Sequence, residues 1–397
     1  MKILVINSGS SSLKFKLYKM QDETALCSGF IEKIGEEKSF VSLVLKEHRL
    51  EKKMHITGHT EALNILFDLL FESGLIVDLD ELYAVGHRVV HGGSYFSKPT
   101  RVNAEVIERL KSLIPLAPLH NPANILGMQA LREKCPQLKQ VAVFDTAFHH
   151  TMPAYAYEYA LPKKLYKEEG IRRFGFHGSS HSYILKQTAK ILEQEEAKTN
   201  IISIHLGNGA SICAIEHGKS VDTSMGMTPL EGLVMGSRSG DIDAGIIFYL
   251  HRHKGYSIDE IDSLLNKHSG LVGLCGQKDM RLILEKAHDN ADFKLALEIF
   301  VYRIKKYIGA YLAVLNRTDA IVFTGGIGEN SSEIRSMVCE GLQGLGLQVN
   351  EEENMQTDKR DFSFHDAGSR IKLMVVSTDE ELEIARQTKE TLMSALR

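Results

Sequence analysis

Two turns rich in small polar residues constrain the fold of this chain most. The stretches "VINSGSSSLKF" (5–15) and "SIHLGNGASICAI" (203–215) share one plan: an apolar strand, a turn of Asn, Gly and Ser, and a second alternating strand. Backbone N–H groups and short hydroxyls in such a turn form a concave donor surface, to which Lys14 adds a cation. One such turn is also compatible with an ordinary hairpin. Because the pattern occurs in both halves of the chain, we interpret it as a pair of phosphate-binding hairpins in a duplicated fold.

Apolar periodicity around the two turns predicts a similar order of elements in both halves. In the first half, strands are predicted at 2–7, 12–19, 25–34, 39–56, 82–90 and 140–144, with helices at 60–73, after Asn103 and from Asn121-Pro122. In the second half, strands are predicted within 200–224 and at 320–326 and 371–377, with helices at 240–254, 257–268, 279–289 and 291–316, from about 330, and after a capping box of Thr378 and Glu381. We therefore expect an α/β protein of two similar domains: residues 1–147 plus 382–397, and residues 148–381.

Length and composition exclude several classes of protein. A chain of 397 residues is too long for one typical core, so two domains are the default. The net charge of −4, with no basic block, argues against a nucleic-acid partner. No apolar run approaches the roughly 18 residues of a membrane span, and the N-terminus does not resemble a signal peptide. The five cysteines lie far apart, which is typical of reduced thiols in a cytoplasmic protein.

Other phosphate-binding motifs are absent, but a third glycine turn is present. The stretch "CAIEHGKS" ends like a P-loop, yet Cys213 stands where the first glycine is required. No GxGxxG occurs, which argues against a Rossmann site. "FTGGIGEN" (323–330) runs from a predicted strand into a helix, where the helix N-terminus and close backbone approach suit a nucleotide.

A set of motifs along the whole chain identifies a resemblance to a known family. The motifs are "VINSGSSSLKF", "GHRVVHGG", "LAPLHNP", "VFDTAFH", "RRFGFHGSSH", "HLGNGAS", "DTSMGMTPLEG", "GSRSGDID", "FTGGIGEN" and "STDEE". In this combination the chain resembles the acetokinase family, within the superfamily of actin, sugar kinases and heat-shock ATPases. The resemblance implies the duplicated actin-like (ribonuclease H-like) fold, with mixed sheets flanked by helices and an active site in the interdomain cleft.

The same resemblance implies a reaction and its partners. Family members transfer the γ-phosphoryl group of ATP to acetate reversibly and in line, giving acetyl phosphate and ADP. The implied cofactor is Mg²⁺, with Mn²⁺ as an alternative ion, and the implied assembly is a homodimer. Neither a nucleic acid nor a membrane is expected as a partner.

The chemistry of this reaction indicates which side chains it needs. Acetic acid has a carboxyl pKa close to that of Glu, so acetate is already an anionic nucleophile at neutral pH. The obstacle is repulsion between anions, and catalysis should rest on positioned cations. The predicted catalytic cations are Arg88, at the end of a strand that enters a Gly-Gly loop, and His177 and Arg238, in loops bordered by glycine. A structural salt bridge is the alternative for Arg88. His91 and His181 are interpreted as structural or supporting residues.

Asp145 ends the predicted strand "QVAVF" and is also a predicted catalytic residue, with two possible roles. The family resemblance places a functional Asp here, sometimes described as an acid/base. Because the substrate has no proton to lose at neutral pH, we favour an anchor that orients an active-site arginine. A capping Asp before a turn is the structural alternative.

The remaining site residues follow from the resemblance alone. Asn7 and Glu380 are implied magnesium contacts. The small apolar acetate pocket is implied to consist of Val90, Leu119, Phe176 and Pro229 beside Arg88, although from the sequence alone plain core packing is the better explanation for these four. The implied ATP contacts are Lys14, His205, Leu206, Gly207, Asn208, Gly209, Asp279, Met280, Arg281, Gly326, Ile327, Gly328, Glu329 and Asn330.

Two other functions remain open from the sequence. One is a propionate or other short-chain acid kinase, which a smaller residue in place of Val90 would favour. The other is a non-catalytic, nucleotide-driven protein of the same superfamily, which would not need the arginine and histidine cluster. The choice between ATP and GTP is open as well.

Overall fold

The computed structural model describes residues 1–46, 48–118, 120–356 and 360–394. Its strands are β1 (Lys2–Ser8), β2 (Ser12–Lys19), β3 (Thr24–Glu32), β4 (Ser39–Leu45), β5 (His48–Met54), β6 (Leu82–Val89), β7 (Thr100–Arg101), β8 (Gln140–Phe144), β9 (Ile201–Leu206), β10 (Ala210–Glu216), β11 (Lys219–Thr223), β12 (Ala320–Thr324), β13 (Phe362–Ser363) and β14 (Lys372–Val375). Its α-helices are α1 (His59–Glu72), α2 (Ala104–Ser112), α3 (Asn121–Lys134), α4 (Ala154–Tyr157), α5 (Lys163–Glu169), α6 (Gly178–Ile191), α7 (Gly245–Lys254), α8 (Ile258–Lys267), α9 (Gly270–Cys275), α10 (Met280–Lys286), α11 (Ala291–Leu315), α12 (Gly325–Asn330), α13 (Ser332–Cys339), α14 (Glu351–Asn354) and α15 (Glu380–Ser394).

The chain divides into two compact units. The first comprises Met1–Phe148 with Asp379–Arg397, and the second comprises His149–Thr378. The chain passes from the second unit back to the first just before α15, three residues before the boundary predicted between residues 381 and 382. The whole of this last helix therefore belongs to the first unit.

The first unit is built on an eight-stranded mixed sheet in the order β5-β4-β3-β2-β1-β6-β8-β7. β1 and β2 form an antiparallel hairpin, while β1, β6 and β8 run parallel. α15 packs against β1, β6 and β8. Because the central strands are covered, Ile3, Leu4, Val5 and Ile6 are all buried rather than alternating with exposed residues.

The second unit contains a six-stranded mixed sheet in the order β11-β10-β9-β12-β14-β13. β9 and β10 form an antiparallel hairpin, and β9, β12 and β14 run parallel. The order β11-β10-β9-β12-β14 repeats the order β3-β2-β1-β6-β8 of the first unit. The prediction of two similar α/β units, each with one Gly- and Asn-rich hairpin turn, is therefore confirmed.

Most predicted elements are present, and the differences have local causes. The long strand predicted at 39–56 is a tight hairpin of β4 and β5. The predicted capping box before α15 is wrong: Leu382 N–H donates to the Asp379 carboxylate at 3.1 Å, while Thr378 N–H donates to Glu329. Helix α6 was not predicted at all. Within the part of the chain that the structure describes, no helix has both the length and the apolar character needed to cross a membrane.

Candidate active site

The first Gly/Ser turn joins β1 to β2 and brings polar groups to the end of β1. Asn7 pairs with Lys14 across the hairpin. Gly9 N–H donates to the Ser12 carbonyl at 2.7 Å and closes the turn. The amide of Asn124 on α3 donates to the Ser8 carbonyl at 2.7 Å, which fixes the end of the strand from behind. Lys14 is exposed, so its ammonium is available to an anion.

Arg88 and Asp145 meet because they lie at the same end of two parallel strands. Arg88 is next to last in β6, and Asp145 follows β8, with its N–H donating to the Val89 carbonyl at 2.9 Å. Arg88 Nε donates to Asp145 Oδ1 at 3.0 Å, and Nη2 donates to Oδ2 at 2.8 Å. Burial opposes the charge of Arg88, but Asp145 and Glu380 raise the pKa of the guanidinium above its ordinary value. Arg88 is therefore a fixed, permanent cation.

Glu380, the first residue of α15, adds a second carboxylate beside Arg88. Its Oε2 lies 3.7 Å from Arg88 Nη2, and this buried atom has no hydrogen-bond partner among the described residues. Burial raises the pKa of Glu380, although the charge of Arg88 partly opposes this. An orphaned carboxylate oxygen is an atom that a bound cation would satisfy.

The fit of this region to Mg²⁺ depends on oxygen donors. Mg²⁺ prefers oxygen ligands and usually keeps several waters, so one carboxylate and one amide oxygen suffice from the protein. Glu380 and Asn7 supply these donor types. No group of three or more His, Cys, Asp or Glu side chains that could hold a metal exists within the described ranges. The residues therefore fit a hydrated ion rather than a metal caged by protein ligands.

The four residues implied for an apolar acetate pocket have different surroundings. Val90 is half-buried at the end of β6, and its N–H donates to Asn124 Oδ1 at 3.2 Å. Leu119 lies outside the described residues. Phe176 and Pro229 belong to the second unit, where Phe176 is buried and Pro229 half-buried.

In the second unit, His177 is held by a chain of hydroxyl and imidazole groups. It precedes α6 with a left-handed backbone (φ +56°), and its Nδ1 lies 2.9 Å from Ser211 Oγ. The same hydroxyl lies 2.8 Å from His181 Nε2, and His181 Nδ1 lies 2.8 Å from Ser203 Oγ. Burial, and then the neighbouring His149 and His205, lower the pKa of His181 well below its ordinary value. His181 is therefore a neutral support at neutral pH.

Arg238 and His177 both lie against Gly209, at the start of β10. A Cβ atom at Gly209 would lie 3.1 Å from Arg238 Nη2 and 3.3 Å from the His177 ring. Arg238 Nη1 donates to the Pro229 carbonyl, and within the described ranges no carboxylate forms an ion pair with this arginine. Burial lowers the pKa of the Arg238 guanidinium. A half-buried cation without a counter-charge, beside a glycine turn, is suited to bind an anion.

A cavity of about 1470 Å³ opens next to this turn. Of the predicted ATP contacts, eight line it: Gly207, Asn208, Asp279, Met280, Arg281, Gly326, Ile327 and Asn330. Other lining residues were not predicted from the sequence; they come from α10, the turn after it, α11 and α13, and include Leu284, Ala287, His288, Leu297 and Met337. These residues carry no motif, because an apolar helix face that lines a cavity has the same pattern as one that packs in a core.

The other predicted ATP contacts lie elsewhere. Leu206 and Gly328 are buried, and His205 stacks on His177 with ring centroids 4.5 Å apart. Glu329 accepts hydrogen bonds from Thr324 Oγ1, Gly325 N–H and Thr378 N–H at 2.9–3.2 Å. Its carboxylate thus holds the glycine turn in shape. Lys14 and Gly209 do not line the cavity.

The repeated sheet topology, with a glycine turn ending the hairpin of each unit, defines a protein with the actin-like fold of sugar kinases. The model of the acetokinase family matches residues 2–386. The chain is 54% identical to an acetate kinase from Sulfurovum sp. (strain NBC37-1) over 399 residues, which covers 100% of both. A crystal structure of Porphyromonas gingivalis acetate kinase gives a TM-score of 0.93 at 42% identity, covering 98% of this chain and 99% of that one. A crystal structure of a propionate kinase from Francisella tularensis gives a TM-score of 0.93 at 45% identity, also covering 98% of this chain and 99% of that one. The chain belongs to the acetokinase family, and the predicted resemblance is confirmed.

Proposed function

We propose that this protein transfers the γ-phosphoryl group of ATP to the carboxylate of acetate, forming acetyl phosphate and ADP, and that it catalyses the reverse reaction as well. One observation carries the mechanistic part of the proposal. Arg238 and His177 converge on Gly209, and the neighbouring Gly207 and Asn208 line the large cavity. This convergence supports a site in which these cationic and hydrogen-bonding groups meet the phosphates of a nucleotide bound in that cavity.

The proposed reaction needs no general base. Acetate is ionised at neutral pH, and its oxygen attacks the γ-phosphorus directly while the bond to the bridging oxygen of ADP breaks. Arg238 and His177 would contact the phosphoryl oxygens, where negative charge must be stabilised during transfer. Arg88 would bind the acetate carboxylate. Asp145 is then a positioning residue, because both of its oxygens hold Arg88.

Asn7 and Glu380 are the residues that would hold Mg²⁺, with Mn²⁺ as an alternative ion. The buried Oε2 of Glu380, to which no group in the described part of the chain donates a hydrogen bond, supports this assignment. When bound, such an ion neutralises phosphate charge and fixes the geometry of the phosphates. Lys14, exposed opposite Asn7, would add a further positive charge to the same phosphate region.

The acetate pocket is proposed to include Val90, Phe176 and Pro229. A methyl group needs only a small apolar surface, and Val90 lies two residues after Arg88, close to where Arg88 would hold the carboxylate. The similarity to a propionate kinase makes preference for a longer acid the second candidate. Residue size at position 90 is the feature that would distinguish the two substrates.

A homodimer and a cytoplasmic location complete the proposal. Several large apolar side chains are exposed within one segment around α7 and α8, and such patches often mark protein–protein interfaces: Ile242, Ile246, Phe248, Tyr249 and Ile258. Light scattering on the purified protein would test the dimer, and a monomeric mass would exclude it. The cytoplasmic location is supported by the five cysteines, all present as thiols.

The decisive experiment is a hydroxylamine trap of the acyl phosphate, with ATP, Mg²⁺ and a series of C2 to C4 acids. We expect acetohydroxamate to form, and Arg238→Ala to lower kcat by about 10³-fold, the scale of an arginine finger. Arg317→Ala is the matched control, since Arg317 is an exposed arginine of the same unit. A higher kcat/KM for propionate would favour the second candidate. ATP hydrolysis without any hydroxamate would instead indicate a nucleotide-driven protein that does not act on acids.

A further inference from the structure

The loop that carries Arg238 is closed at its base by Asp241. Gly232 N–H donates to Asp241 Oδ1 at 2.8 Å, and Asp241 N–H donates back to the Gly232 carbonyl at 3.0 Å. These two bonds join the ends of residues 232–241. Arg238 therefore sits on a closed loop, three residues from its fastening point.

Helix α11 supplies the other partners of Asp241. Tyr307 Oη donates to Asp241 Oδ2 at 3.0 Å, and Arg303 Nη1 lies 3.1 Å from the same oxygen. Arg303 Nη1 also donates to the Asp241 carbonyl at 3.1 Å. Both oxygens of the Asp241 carboxylate are thus engaged, one by the loop itself and the other by α11. We call Asp241, Arg303 and Tyr307 the loop clasp.

The backbone inside the loop is tightly fitted. Met235 N–H donates to the Arg238 carbonyl at 3.1 Å. Gly240 has a left-handed backbone (φ +68°), and a Cβ atom there would lie 2.5 Å from the carbonyl oxygens of Gly232 and Leu233. Because the loop is packed this closely, a shift of its ends would also move the residues between them.

The same helix also forms part of the nucleotide cavity. Lys294, Leu297 and Glu298 of α11 line the cavity, and Arg303 and Tyr307 lie one to three turns further along. At about 1.5 Å per residue, the helix carries the cavity wall and the clasp within roughly 20 Å of each other on one rigid element. The helix that holds the base of the Arg238 loop is therefore the same helix that borders the cavity.

We propose that Asp241, held by Arg303 and Tyr307 of α11, is a positioning residue that sets the Arg238 guanidinium for phosphoryl transfer. The inference rests on the proposed function, in which Arg238 contacts the transferred group. An arginine side chain has many rotamers, and the clasp fixes the ends of the backbone loop from which Arg238 extends, while the Pro229 carbonyl accepts from its Nη1. Fixing the backbone in this way places the charge before the reaction begins. A displacement of about 1 Å at such a group lowers the rate by up to about 10²-fold.

The test measures kcat, KM for ATP and Tm for Asp241→Asn and Tyr307→Phe, each in the wild-type and the Arg238→Ala background. We expect kcat to fall by about 10-fold to 10²-fold in the wild-type background, with KM for ATP little changed. In the Arg238→Ala background neither substitution should lower kcat further, because residues that act as one unit are not additive. Tyr302→Phe is the control, since it removes a hydroxyl from an exposed tyrosine of α11 outside the clasp.

Three outcomes would overturn the inference. Equal loss of kcat in both backgrounds would mean that the clasp only stabilises the fold. Unchanged kcat in both Asp241→Asn and Tyr307→Phe would remove the clasp from the reaction. If Arg238→Ala itself turns over at the wild-type rate, the proposed role of Arg238 fails, and the inference falls with it. Tyr307→Phe deletes a single oxygen atom, so it decides the question even if Asp241→Asn folds poorly.

Discussion

Arg88 occupies both carboxylate oxygens of Asp145, with Nε 3.0 Å from Oδ1 and Nη2 2.8 Å from Oδ2. Asp145 is only 2% exposed, so its carboxylate meets the guanidinium rather than solvent. The side-by-side geometry is the one that an arginine and a carboxylate prefer. It supports an orienting role for Asp145, since a base would need a free oxygen directed at the substrate.

Asp145→Asn should lower kcat by about 10²-fold, because Asn keeps the shape but loses the charge that holds Arg88. The factor should stay constant from about pH 6 to about pH 8, where acetate remains ionised. Combined with Arg88→Ala, the loss should be smaller than the product of the two single effects. The measurement is a set of pH–rate profiles for the wild type, both single variants and the double variant.

The opposite result for Asp145 is equally specific. A general base would give the wild-type profile a limb in this pH range that disappears in Asp145→Asn. The loss of kcat in the double variant would then equal the product of the losses in Asp145→Asn and Arg88→Ala. Together these two observations would exclude the orienting role.

The sequence predicted best those features that local chemistry determines. Asn103 was predicted to open a helix, and its Oδ1 accepts from Val106 N–H at 2.8 Å at the start of α2. The two hairpin turns were recognisable because clusters of Asn, Gly and Ser are typical of turns. Arg238 could be singled out because a charged residue in a short segment between glycines is poorly placed for packing.

Features that depend on tertiary contacts could not be predicted. Helix α6 begins with Gly178, Ser179, Ser180 and His181 and is buried along most of its length, so it lacks the apolar stripe of a surface helix. The pairing of Asp379 with Lys16 and Tyr18 joins residues that are distant in the chain. Both are consequences of packing rather than of local pattern.

Gly209→Ala should impair catalysis through steric displacement of two neighbours. The new methyl group would lie 3.1 Å from Arg238 Nη2 and 3.3 Å from the His177 ring, closer than most such contacts. We expect kcat to fall by about 10-fold or more because both groups must shift. Gly344→Ala is the control, since a Cβ atom there would meet nothing within 4 Å. Equal kinetics for the two variants would show that Gly209 does not border the reacting groups.

Val90→Ala should shift the preference of the enzyme from acetate towards propionate. Removing two methyl groups enlarges the proposed pocket, and a change of this size in an apolar pocket alters kcat/KM by about 10-fold to 200-fold. The ratio of kcat/KM for the two acids, measured with the hydroxylamine trap, tests this. Val89→Ala would be a poor control because Val89 is fully buried, so half-buried Leu116→Ala is preferable. An unchanged ratio in Val90→Ala would remove Val90 from the pocket.

His87 should make the stability of the protein depend on pH. It is 2% exposed on β6, and burial lowers its pKa to about 4. Below about pH 6.5 the unfolded chain binds a proton that the folded chain excludes, so the free energy of unfolding falls as pH falls. Between about pH 7 and about pH 5, His87→Gln should reduce this fall by ~2 kcal/mol. Urea unfolding followed by circular dichroism measures it, with exposed His48→Gln as control. If both variants keep the wild-type pH dependence, His87 is not the group responsible.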